Sequence, residues 1–229
     1  MQYDVITYQN GGKMIVVIGG IKGGSGKTTI ATNLTVLRSS MGKKVLLVDA
    51  DEQKSASSWS QQREAQGINT SWTTVQLAGS AVRSQILKMA NDYDDVIIDV
   101  GGRDTTSQRS ALIVADYYIV PFQPRSLDIW TLGSVKNLIS ESSAINIKLQ
   151  SYALINRGDS IGVDNQEAIE VIKECPNLVC IPHIIAQRKA FANAATDGLG
   201  ISEVKTPDKK ALAEMQLVHD FIYQNDGKK

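Results

Sequence analysis

The sequence predicts a doubly wound, mainly parallel α/β fold, with one central sheet flanked by helices. Three observations predict it. Short β-branched apolar runs recur along the 229 residues, and their continuous apolar character suits strands buried on both faces. Between the runs, apolar residues return at helical spacing. A glycine-rich stretch, Gly19–Thr29, separates the first run from the first helical pattern.

The elements follow in order. Met14–Ile18 is the first strand, and Ala31, Leu34 and Leu37 mark the helix after the glycine stretch. Val45–Val48 is the second strand, followed by a helix carrying Val82, Ile86 and Met89. Val96–Ile98 and Tyr117–Val120 come next, then a helix through Ile129, Leu132, Val135, Leu138 and Ile139. Tyr152–Ile155 is a strand, Leu178–Ile181 is a weaker one, and Leu212, Met215, Val218 and Ile222 line the last helix. Strand–helix alternation of this kind implies right-handed crossovers with helices on both faces. Residues 1–13, with the turn signal Asn10-Gly11-Gly12, read as an N-terminal arm, residues 14–225 as a single domain and 226–229 as a frayed tail.

Composition narrows the function classes. The chain is 42% hydrophobic and 21% charged, and its 24 basic and 24 acidic residues cancel. Any binding to nucleic acid must therefore come from a local patch rather than from net charge. Cys175 and Cys180 lie in one short segment and offer neither a disulfide framework nor a four-cysteine metal site. No basic segment followed by an apolar run opens the sequence, and no apolar stretch approaches the roughly 18 residues of a membrane-spanning helix. A reduced, cytoplasmic setting without membrane attachment is expected.

The glycine stretch sits where a phosphate loop belongs, after a buried strand and at the start of a helix. Its residues are Lys22-Gly23-Gly24-Ser25-Gly26-Lys27-Thr28-Thr29. Glycines let backbone N–H groups turn inward around phosphates, and the helix N-terminus adds a positive dipole. Lys27 would reach the outer phosphates and the Thr28 hydroxyl would ligate Mg²⁺. The ordinary spacing asks for glycine at position 21, where Ile21 stands. A dinucleotide-binding loop is the rival reading, with Asp49 as its ribose contact, but its third glycine is replaced by Thr29 and it has no use for Lys27.

With Lys22 included, the motif resembles the deviant Walker A loop of the ParA/MinD ATPases, and the resemblance runs through nearly the whole chain from Met14. It is closest in kind to the short ParA partition ATPases. It implies that Lys22 reaches across a dimer interface to the partner's nucleotide, a cation supplied in trans where phosphoryl charge develops. The segment Val45–Trp59 resembles the family's V-D-x-D-P-Q stretch. Asp49 would then orient the Mg²⁺ shell and Asp51 would position the attacking water, with Glu52 in place of the usual proline. A helix N-cap is the structural alternative for Asp51. Asp94–Asp104 resembles a Walker B strand, with Asp99 holding a magnesium-bound water and Gly101-Gly102 near the γ-phosphate. Val120–Trp130 resembles the I-P-x-x-P-S-x-x-D stretch, with Arg125 where serine is common and Asp128 as a dimer-face or capping residue. Asn156 and Arg157 match the pair that reads adenine. Ile181–Gly200 resembles the segment whose basic residues contribute to non-specific DNA binding. Arg188 and Lys189 are the first candidates there, followed by Lys205, Lys209 and Lys210.

The function implied is ATP- and Mg²⁺-dependent. Two copies sandwich nucleotide, bind DNA without sequence preference and segregate or position a plasmid or chromosome. A ParB-like or other adaptor protein stimulates hydrolysis, and the protein is cytoplasmic and nucleoid-associated. Two alternatives stand beside it: a ParA-like ATPase positioning an organelle, chemoreceptor cluster or pole, and a metabolic ATP enzyme of the dethiobiotin-synthetase type. The C-terminal helix is short, with polar residues after it, and reads as a docking helix on the domain rather than a membrane anchor.

Overall fold

The computed structural model describes residues 13–124, 132–159 and 163–223. Most of the N-terminal arm, Arg125, Asp128 and the tail lie outside the described residues. The strands are β1 (Met14–Ile18), β2 (Val45–Ala50), β3 (Thr73–Gln76), β4 (Asp95–Val100), β5 (Tyr117–Phe122), β6 (Gln150–Gly158) and β7 (Leu178–Ala186). Among the described residues the α-helices are α1 (Lys27–Ser40), α2 (Ser55–Ala65), α3 (Ala81–Met89), α4 (Thr106–Leu112), α5 (Leu132–Ile145), α6 (Asp164–Lys173), α7 (Lys189–Thr196) and α8 (Lys209–Tyr223).

The seven strands among the described residues all pair in parallel, in the order β3-β2-β4-β1-β5-β6-β7. The first strand and the Val96–Ile98 strand are neighbours, with Ile15 opposite Val96 and Ile18 opposite Asp99. Strands β1, β2 and β4 are almost wholly buried, as their unbroken apolar runs require.

Two cores lie on opposite faces of the sheet. One packs α3, α4, α5 and α6 through residues such as Ile86, Leu112, Leu138 and Ile172. The other packs α1, α2 and α8 through Leu34, Trp59, Met215 and Ile222. The helices that follow the neighbouring strands β1 and β4 therefore leave on opposite faces. That divergence opens a crevice at the carboxyl ends of those strands, where α/β folds bind ligands.

Two buried arginines secure the helical layer. Arg38 of α1 donates to both carboxylate oxygens of Asp95, at 2.7 and 3.2 Å, and stacks on the Tyr223 ring. Arg63 of α2 is fully buried, holds Glu203 at 2.6 and 2.8 Å and lies over the stacked Trp59 and Trp72 rings. Helix α8 docks as expected, burying Ala211, Met215, Val218 and Ile222.

Candidate active site

The phosphate loop joins β1 to α1. Helix α1 begins without a side-chain cap and without an acidic residue in its first turn, so its leading N–H groups face the crevice unclaimed by a carboxylate. Gly26, just before α1, is left-handed at φ 91°. A Cβ there would be strained by that angle and would collide with the Asn156 amide.

Lys27 is buried, and its Nζ donates to the backbone carbonyl of Lys22 at 2.9 Å. Burial pushes the Lys27 ammonium below its ordinary pKa, while the carboxylates of Asp99 and Asp51 oppose that shift. Both lysines of the motif thus meet inside one loop, one through its side chain and the other through its backbone.

The three aspartates converge on the same end of the sheet. Asp49 on β2 stands opposite Asp99 on β4. Asp99 is fully buried, its Oδ2 accepts from the Thr28 hydroxyl at 2.6 Å, and its Oδ1 has no hydrogen-bond partner among the described residues. Burial first, and then the nearby Asp49 and Asp51, push the Asp99 carboxyl up to about 7 against the opposing Thr28 bond and Lys27 charge. A buried carboxylate beside a threonine hydroxyl, with an unspent oxygen and two further aspartates nearby, fits a hard divalent cation such as Mg²⁺. Thr28 and Asp99 are the side chains that would hold it. Asp49 already spends both oxygens on backbone, Oδ1 on the Asp51 N–H at 3.2 Å and Oδ2 on the Ser57 N–H at 2.7 Å.

That last bond separates the two readings of Asp51. The first turn of α2 is capped by Asp49, reaching from the strand end, and not by Asp51. Asp51 is half-buried, and its Oδ1 accepts from the Gln53 N–H at 3.1 Å. A Cβ on Gly101 would stand 3.1 Å from the same oxygen. The Asp51 carboxylate therefore lies against the turn that follows β4. The next residue, Gly102, lies so close to the loop that a Cβ would stand 2.5 Å from the Gly23 nitrogen.

Other side chains grip the loop backbone. Asn156 of β6 is buried and donates to the Ser25 carbonyl at 2.6 Å. Its neighbour Arg157 is exposed, at φ 54°, beside a register shift between β6 and β7. Gln123, just after β5, donates to the Gly24 carbonyl at 3.0 Å. Gln108 of α4 accepts from the Gly20 N–H at 3.0 Å. Sequence reasoning passed over both glutamines, because a lone glutamine in a polar stretch carries no spacing signal.

The basic candidates of the C-terminal third separate into two kinds. Arg188 donates to Glu214 on α8 from Nε at 3.0 Å and from Nη2 at 2.5 Å, with Asp208 3.8 Å away. Glu214 also accepts the Ala186 N–H. Arg188 is thus engaged in joining the end of β7 to α8. Lys189, Lys205, Lys209 and Lys210 are exposed. No helix among the described residues is long and apolar enough to cross a membrane.

A family model described as the CobQ/CobB/MinD/ParA nucleotide binding domain matches residues 16–201. Maintenance of carboxysome distribution protein A of Halothiobacillus neapolitanus is 25% identical over 214 residues, 90% of this chain and 95% of that protein. Chromosome-partitioning ATPase Soj of Thermus thermophilus is 28% identical over 145 residues, 52% of this chain and 57% of that protein. Among solved structures, a variant of Cyanothece McdA in complex with ATP shares the fold at a TM-score of 0.75 and 18% identity, with 93% of this chain and 97% of that one covered.

Proposed function

The chain belongs to the CobQ/CobB/MinD/ParA nucleotide-binding family, whose ParA and MinD members are ATPases, and from that membership we propose that it is an ATP-driven positioning protein. It dimerises around ATP, binds DNA without sequence preference and moves a large cargo, in the first instance a plasmid or chromosome. An adaptor protein stimulates hydrolysis and so ends each DNA-bound period. The relative named for carboxysome distribution supports the same chemistry with a different cargo.

The observation that carries the reading is the packing of the Lys22-Gly23 backbone against Gly102, with Asp51 beside Gly101. The Lys22 backbone, the turn after β4 and a half-buried carboxylate thus share one edge of the crevice. Lys27 and the first amides of α1 hold the phosphates. Thr28 and Asp99 would hold Mg²⁺, which would neutralise phosphate charge. Asp51 orients the attacking water, and Lys22 of each copy supplies positive charge to the other copy's nucleotide. Asn156 and Arg157 frame the base side of the loop. A second loop lysine is accounted for by a cation supplied to a partner's nucleotide, so Lys22 supports the positioning reading.

The test is retention of DNA on filters over a salt titration, with ATP and with ADP. Affinity for mixed-sequence DNA should appear only with ATP and fall with a log–log slope of about 0.9 per phosphate contact. Equal retention with both nucleotides, or none at low salt, would count against a DNA carrier.

A further inference from the structure

We propose that Gln108 is a positioning residue for the phosphate loop, fixing the direction in which the backbone leaves β1. The ladder between β1 and β5 ends at Gly19, whose N–H donates to the Ile119 carbonyl at 3.0 Å. The next amide, Gly20, lies beyond the last rung, and Gln108 takes it with Oε1 at 3.0 Å. A buried backbone N–H needs such a partner.

The contact is tightly built. Gln108 is fully buried. A Cβ on Gly19 would stand 2.7 Å from Tyr118 and from Val100 and 2.8 Å from the Gln108 oxygen. No side chain larger than hydrogen fits between Gln108 and the root of the loop. Helix α4 is itself set in place, because the Gln108 N–H donates to the capping Thr105 hydroxyl at 3.2 Å. On its outer side, Arg109 bridges Asp104 at 2.7 Å and Glu141 of α5 at 2.5 Å.

The unspent half of the amide points to function rather than stability. Gln108 Nε2 is buried without a hydrogen-bond partner among the described residues. An orphaned buried donor costs free energy, and an apolar side chain of the same length would fill the space without that cost. The one bond that only an acceptor can make is the bond to Gly20. Together with the packing of Gly102 against Gly23, it lets the segment after β4 hold the loop at its root and at its crown.

The proposal rests on the ATP-binding reading of the loop. The test compares Gln108→Met, which keeps length and loses the acceptor, with the wild-type protein, and adds hydrogen exchange at the Gly20 amide as a third readout. Binding is read with a fluorescent N-methylanthraniloyl ATP and stability by thermal unfolding. Gln108→Met should bind about tenfold more weakly, the penalty when the loop holds its binding arrangement about a tenth of the time, while melting within a few degrees of wild type. The Gly20 amide should exchange its hydrogen at least tenfold faster in Gln108→Met, while the β1 amides keep their protection. Wild-type affinity in Gln108→Met, unchanged exchange at the Gly20 amide, or a fall in melting temperature that tracks the loss of affinity would each overturn the proposal. Failure of the wild-type protein to bind the probe would instead remove the ATP-binding reading beneath it.

Discussion

Lys27 donates its Nζ to the backbone carbonyl of Lys22, 2.9 Å away. The two lysines of one loop are thereby linked through one side chain and one peptide group. Substituting Lys22 leaves that carbonyl in place, whereas substituting Lys27 removes the ammonium that the crevice surrounds with Asp99 and Asp51. Lys27→Ala should weaken ATP binding about 10- to 100-fold, the range for losing charge-assisted bonds to phosphate. Titration calorimetry with ATP would check it, and wild-type affinity would contradict it.

Asp51 lies against Gly101 and leaves the capping of α2 to Asp49. Asp51→Ala should therefore spare the fold and nucleotide affinity while slowing hydrolysis about 10²- to 10⁴-fold. The ATP-bound form should accumulate. Loss of ATP binding in this variant would make Asp51 a binding residue instead.

The buried Asp99 carboxyl, raised to about 7, makes a pH-dependent contribution with a definite sign. A carboxyl raised in the folded state keeps a proton that the unfolded chain loses near pH 4. It therefore costs stability as pH rises from about 4 to 7, by about 1.4 kcal/mol per unit, and the cost is complete above 7. Asp99→Asn should raise the melting temperature of the nucleotide-free protein in EDTA, and more at pH 8 than at pH 5. The same variant should lose Mg²⁺-dependent hydrolysis at least a hundredfold. Equal stabilisation at both pH values would contradict the account.

Arg188 and the exposed lysines should behave differently. Arg188 is committed to Glu214, so Arg188→Ala should lower the melting temperature by a few degrees, through loss of the link between β7 and α8. Lys189→Glu, Lys209→Glu and Lys210→Glu should leave stability near wild type and weaken ATP-dependent DNA retention severalfold each. DNA binding that survives all three lysine substitutions would move the DNA face elsewhere.

The sheet was legible because its central strands are buried on both faces and written as apolar runs. Strand β3 was not, because it is a four-residue edge strand, Thr-Thr-Val-Gln, that needs no apolar run. Helix α2 escaped for a related reason. Its buried face mixes Ala56 and Trp59 with Ser57, Ser60 and Arg63, whose charge is met by Glu203 and two tryptophan rings, so no apolar stripe announces the helix. The phosphate loop and its three aspartates were visible as motif residues. Their division of labour was not, since the backbone bonds of Asp49 and the grip of Gln108 and Gln123 depend on which elements the fold brings beside the loop.

If Lys22 acts across a dimer, sedimentation velocity with ATP and Mg²⁺ will show it. The wild-type protein should shift from monomer to dimer on adding ATP. Lys22→Ala should still bind ATP, because Lys27 and the α1 amides remain, but should stay monomeric and hydrolyse ATP at least a hundredfold more slowly. A Lys22→Ala protein that dimerises and hydrolyses ATP like wild type would contradict the account.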